Sequence, residues 1–202
     1  MKLIHYYTGL TLAVFIGFHL LNHLLILHSE VLHIRFMKAA RKIYRNRIVE
    51  SILLIAVLLQ IISGITLVIL KWNKVENYFD RIQIASGLYL SFFLVNHVVA
   101  VLRGRYKLKM DTNLYYGAGV MNMWPQKLFY IPYYSFAILF FFFHVACVHR
   151  IKMEKFTGLA IATKQSFIIM GIGILVTFLV IFKMSNLKVS ISKTSTADQN
   201  FG

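Results

Sequence analysis

Five runs of apolar residues, near positions 6–28, 50–71, 82–103, 128–149 and 166–183, carry Asp, Glu, Lys and Arg only at their ends. A helix rises about 1.5 Å per residue and the hydrocarbon core of a bilayer is about 30 Å thick, so roughly 20 such residues cross it. Inside that core only a helix or a closed barrel satisfies its own backbone. The pattern predicts an all-α integral membrane fold of five transmembrane helices, with helices one to four as a bundle and the fifth at its periphery. A hydrophobic share of 58% and a mean hydropathy of +0.67 agree with that reading. Residues 1–185 are read as one five-helix domain, and 186–202 as a polar, disordered tail. No span ends in a small-residue cleavage site, so the first is expected to stay in place as a helix.

The net charge of +15 raises the question of nucleic acid. Twenty-two basic residues spread over every loop of a membrane chain instead read as topology determinants and lipid-headgroup contacts, and no nucleic-acid role is expected. The connections at 29–49 and 104–127 and the C-terminal tail share one side. With their flanks they hold 14 Lys and Arg against 8 on the other side, a bias that predicts an external N-terminus. Cys147 is the single cysteine, which excludes an intramolecular disulfide and a cysteine-ligated cluster within the chain. Any redox centre here must use histidine.

One octet recurs in three spans: His5-Tyr-Tyr-Thr8-Gly9-Leu-Thr-Leu, Gln60-Ile-Ile-Ser63-Gly64-Ile-Thr-Leu and Gln83-Ile-Ala-Ser86-Gly87-Leu-Tyr-Leu. It opens the first and third spans and lies in the latter half of the second, which runs the other way, so all three copies fall towards one leaflet. Gly9, Gly64 and Gly87 there allow helices, or a flat cofactor, to approach closely. In the first and third spans the likeness continues to a histidine, His19 and His97, each ten residues beyond its glycine and so about 15 Å further along the helix.

Two imidazoles at matched depth in parallel spans are the pattern of bis-histidine ligation of haem b, with interhelical hydrogen bonding as the other reading. Arg35, Arg41, Arg45, Arg47, Arg103 and Arg105 border that end and are candidates to pair with haem propionates, or else to contact headgroups. His23, one turn beyond His19, is a second candidate ligand, a propionate partner or a helix-to-helix donor. His144, in the fourth span, is expected either to hydrogen-bond Gln60 or Ser63 or to help line a quinone pocket near Gly64. His28, His33 and His149 fall at the membrane boundary, where solvent, headgroup or interfacial contact is expected. Residues 31–47 have amphipathic helical spacing and are expected to lie along the membrane surface. The connection 104–127 looks folded and, with Tyr115, Tyr116 and Trp124, belongs to an interfacial aromatic belt.

The phrase from Thr8 to His19, the five-span layout and His97 together resemble the transmembrane cytochrome b subunits of succinate dehydrogenases and fumarate reductases. In the two-haem members of that family helices one and three ligate one haem and helices two and four the other. The resemblance therefore implies His19 and His97 as iron ligands of the first haem and His144 as the fourth-helix ligand. The second-helix position falls near Gln60, which departs from the pattern, so one haem is expected and a second is not assigned. The family has a cytoplasmic N-terminus, opposite to the side that the charge bias gives. The chain is thus expected to be a haem b electron-transfer and anchor subunit, in a bacterial cytoplasmic membrane, between quinone and soluble flavoprotein and iron–sulfur partners. It has no flavin or nucleotide motif and no complete active site; dehydrogenase or reductase chemistry would belong to a partner. The alternative is a haem-free membrane scaffold or assembly protein of the same fold. The cofactor-binding residues on this reading are His19, His97, His23, His144, Gln60, Gly9, Gly87 and Arg103.

Overall fold

The structure is a computed structural model that describes residues 1–188; from 189 on, the tail expected over 186–202 lies outside the described residues. Among the described residues there is no strand. Within those residues seven α-helices follow one another: α1 (Lys2–Leu25), α2 (Glu30–Tyr44), α3 (Arg47–Lys71), α4 (Tyr78–Leu102), α5 (Leu114–Asn122), α6 (Lys127–Thr157) and α7 (Leu159–Ser185). Five of them, α1, α3, α4, α6 and α7, are long and apolar enough to cross a membrane, and the chain is an integral membrane protein. Each starts before its expected limit; α1 stops short of position 28, at Leu25, and α6 runs two turns past position 149.

Breaks between helices are written in small polar residues. The side chains of Ser29, Asn46, Asn77 and Asn113 accept hydrogen bonds from Leu32 N, Ile48 N, Asp80 N and Tyr115 N, capping α2, α3, α4 and α5. The helix expected at 31–47 is α2, and the connection at 104–127 is folded as expected. It holds α5 together with one wide turn, Arg103–Lys107, in which Leu108 N donates to Arg103 O.

Between α6 and α7 a single residue, Gly158, makes the turn at φ 80° and ψ 160°. Only glycine occupies that region without strain. Gly158→Ala should therefore cost about 1–3 kcal/mol, read as a lower thermal midpoint in detergent; an unchanged midpoint would show that the turn relaxes freely.

Packing follows the chain around a ring: α1 on α3, α3 on α4, α4 on α6, α6 on α7, and α7 back against α1. The fifth span packs chiefly along α6 and reaches α1 and α5 at one end. Its C-terminal half supplies Val176, Val180, Ile181 and Met184 to a core completed by Ile26 and by Leu114, Ala118 and Met121 of α5. The reason is α5 itself, a nine-residue apolar helix that needs a hydrophobic floor, which α7 provides.

Candidate functional site

Along α1, His5, Leu12, His19 and His23 are spaced so that they fall on one face, the face that buries Leu12. Val14, Phe18 and Leu21 lie on the exposed side with Gly17. The inward face divides into two polar levels, one at each end of the bundle.

At the α2 end the rings of His19 and His97 are 6.3 Å apart, centre to centre, with their planes at 64°. Each lies nearly parallel to a phenylalanine one turn earlier: Phe15 for His19, at 6.1 Å and 15°, and Phe93 for His97, at 5.0 Å and 14°. Phe15 and Phe93 are themselves equivalent positions of the shared phrase, so the repeat encodes a supported imidazole and not just a histidine. His19 Nε2 is 3.2 Å from His23 Nε2. Neither ring nitrogen of His97 has a hydrogen-bond partner among the described residues, and His23 Nδ1 is buried without one.

The sequence places His33 at the boundary, in solvent or headgroups; it is instead 1% exposed and part of this level. Its Nδ1–H donates to the Asn22 carbonyl at 2.7 Å, and its ring centre is 5.3 Å from that of His23. Burial holds the His33 pKa below its ordinary value; the Asn22 bond opposes that shift and the nearby Arg41 charge adds to it. The apolar wall of α2, with Met37 also buried, draws His33 inward.

At the other end the octets interlock. His5 Nδ1–H donates to Ser63 Oγ at 3.1 Å, Gln60 Nε2 donates to His5 Nε2 at 3.2 Å, and Thr8 Oγ1 donates to Gln60 Oε1 at 2.5 Å. The antiparallel pairing of α1 with α3 makes the exchange reciprocal: the polar head of each octet meets the hydroxyl and glycine of the other. A Cβ at Gly9 would stand 3.2 Å from Gln60 Nε2, and one at Gly64 3.2 Å from His5 Cε1. In the third octet the visitor is His144. It contacts Ser86 Oγ and the Gln83 carbonyl through Nδ1, each at 3.2 Å, and its Cε1 lies 3.3 Å from a Cβ at Gly87. His144 therefore bonds to α4 and not to Gln60 or Ser63, because α6 packs on α4. Across this level the rings of His5 and His144 are 6.4 Å apart at 74°.

Sequence reasoning missed His5, although it heads an octet exactly as Gln60 and Gln83 do. His149, expected at the interface, is bonded to Gln165 Oε1 of α7 at 2.9 Å. Arg103 is exposed and makes no side-chain hydrogen bond or ion pair among the described residues. Arg105 instead forks onto both carboxylate oxygens of Glu50. Tyr115, on α5, donates to Glu30 Oε2 at 2.7 Å, and its pKa is pushed up to about 12, by burial first and by Glu30 second.

No group of three or more His, Cys, Asp or Glu side chains among the described residues is arranged to hold a bare metal ion. Haem asks for less, since the porphyrin supplies the equatorial nitrogens and the protein the axial ones. A metal–nitrogen bond of about 2.0 Å on each side, with about 1.2 Å from nitrogen to ring centre, sums to roughly 6.4 Å. The separation of His19 and His97 is close to that sum, as is the 6.4 Å of His5 and His144, so what sets the first pair apart is that His97 keeps both ring nitrogens uncommitted. No family model, curated protein or solved structure matches the chain.

Proposed function

We propose that this chain is a diverged relative of the succinate dehydrogenase and fumarate reductase cytochrome b subunits: a membrane anchor that carries electrons between quinone and a partner redox subunit through one haem b. The observation that carries the reading is His97. Its ring nitrogens have no protein partner among the described residues and are not sealed from the surroundings, so they are open to a ligand, and the facing imidazole of His19 supplies the second half of such a site. His19 and His97 would hold the iron, with His19 giving up its bond to His23. Phe15 and Phe93 would fix the planes of the two rings. Haem, when bound, would supply one-electron transfer. A soluble flavoprotein and iron–sulfur partner would supply the substrate chemistry.

The His5–His144 level suits a quinone headgroup better than a second haem. Three of its four ring nitrogens already have partners in the octet clasps, and what remains, the second amide N–H of Gln60 and His144 Nε2, matches the neutral partners a quinone carbonyl or quinol hydroxyl needs. The scaffold reading has one observation of its own, since those same clasps use His5 and His144 as interhelical bonds; it leaves His97 without a role. The deciding measurement is the visible spectrum of the protein purified after haem-supplemented expression. A Soret band with sharp reduced α and β bands is expected, and a protein without Soret absorption would end the haem reading.

A further inference from the structure

His33, Met37 and Arg41 follow one another at steps of four on α2, so they share the face turned to the bundle. Arg41 keeps 11% of its side-chain exposure. Its Nη1 donates to Asp111 Oδ1 at 2.6 Å, which fixes the guanidinium and leaves Nε and Nη2 buried with no acceptor. One turn on, Arg45 Nη2 donates to Thr112 Oγ1 at 3.0 Å, and its Nε is likewise buried and unmet. Asn113 Nδ2 occupies the second oxygen of Asp111, at 3.0 Å, so that carboxylate is already shared. Three guanidiniums, of Arg41, Arg45 and Arg105, thus crowd against two carboxylates, those of Asp111 and Glu50. The Arg45 pKa is lowered, by burial first and then by the like charges of Arg41 and Arg105.

A guanidinium whose Nε and Nη edge has no protein acceptor presents two parallel N–H donors, the geometry that grips both oxygens of a carboxylate or two of a phosphate. We infer that Arg41 and Arg45 form a receptor for one oxyanion at the α2 end of the bundle. Two sources carry that chemistry here, a propionate of a porphyrin held between His19 and His97, and the phosphate of an anionic lipid. The propionate is favoured by continuity: Arg41 bears on His33, whose ring is next to that of His23, and His23 is 4.7 Å, centre to centre, from His19. The inference rests on the haem reading only for that choice of source.

The test compares the full-length protein with the Arg41→Gln/Arg45→Gln variant, each prepared without haem. Titration with protohaem and with its dimethyl ester, which lacks ionisable propionates, measures the preference for the acid. A preference of at least about tenfold in the parent, lost in the double variant, is expected for charge-assisted bonds. Arg41→Lys keeps the charge but not the fork and should lose most of the preference, which guards against a misfolded double variant. Extraction from mixed phosphatidylglycerol and phosphatidylcholine nanodiscs, read by native mass spectrometry, forms the lipid arm. Phosphatidylglycerol retained by the parent and released by the variant would assign the oxyanion to lipid phosphate. Equal affinity for acid and ester together with equal lipid retention would overturn the receptor. If the parent takes up neither porphyrin, the haem reading fails by itself, and the lipid arm still decides on the receptor.

Discussion

His19→Ala and His97→Ala should each yield a protein without a Soret band, while His144→Ala and Gln60→Ala keep it. On the haem reading each replacement would remove one of the two ligands, and the His19→Ala/His23→Ala double variant, which also removes the nearest substitute imidazole, should lack the band too. The contrast depends on where each nitrogen is already committed. His144 and Gln60 belong to the octet clasps, where an interhelical hydrogen bond contributes about 0.6 kcal/mol on average, so their loss should lower stability slightly and spare the cofactor. The reverse outcome, with haem lost from His5→Ala and His144→Ala but kept in His19→Ala and His97→Ala, would move the iron to the other end of the bundle. Reduced-minus-oxidised difference spectra, normalised to protein, distinguish the two cases.

The second large effect is steric and lies outside either polar level. A Cβ at Gly173 would come within 2.4 Å of Phe142 Cβ and 2.8 Å of its Cγ. The first of these atoms is fixed to the α6 backbone, and α7 lies along α6, so neither can yield without moving a helix. Gly173→Ala should cost about 1–3 kcal/mol as overpacking, and Gly173→Leu more. Gly171, two residues earlier, meets nothing within 4 Å and provides the control. Gly171→Ala should be neutral or slightly stabilising, since alanine is the better helix former. Thermal unfolding of the three variants in one detergent gives the comparison; Gly173→Ala no less stable than Gly171→Ala would show that α6 and α7 are not held at this distance.

The five spans were legible because a bilayer leaves the backbone one economical solution. The matched depth of His19 and His97 was legible as well, because a repeat in parallel helices converts equal spacing into equal height. What the sequence could not convey was the pairing of helices that are distant in the chain. Which octet meets which depends on α1 packing against α3 and α6 against α4, and from the chain alone His144 has no reason to choose Ser86 over Ser63. His5 was hidden by its position at the very start of a helix, where a histidine reads as interfacial until a partner octet is placed opposite. His33 was hidden for a different reason: its burial comes from α2 folding over the end of the bundle, and amphipathic spacing alone does not say whether the apolar face meets lipid or protein. The depth at which α7 is packed follows from α5, whose apolar surface is too short to read as a span.

At about 1.5 Å per residue, α6 is roughly 46 Å long, some 16 Å more than the hydrocarbon it crosses. Its charged final turns, with Arg150, Lys152, Glu154 and Lys155, are therefore expected at or beyond the headgroups, where the chain returns at Gly158. The chain has one native thiol, Cys147, 1% exposed. A cysteine placed by Glu154→Cys would be the single accessible thiol of the molecule, at the end of a helix whose side of the membrane is that of His5 and His144. Labelling of sealed vesicles with a maleimide that cannot cross the bilayer would then turn the disagreement between charge bias and family resemblance into one yes-or-no reading of which compartment the octet level faces.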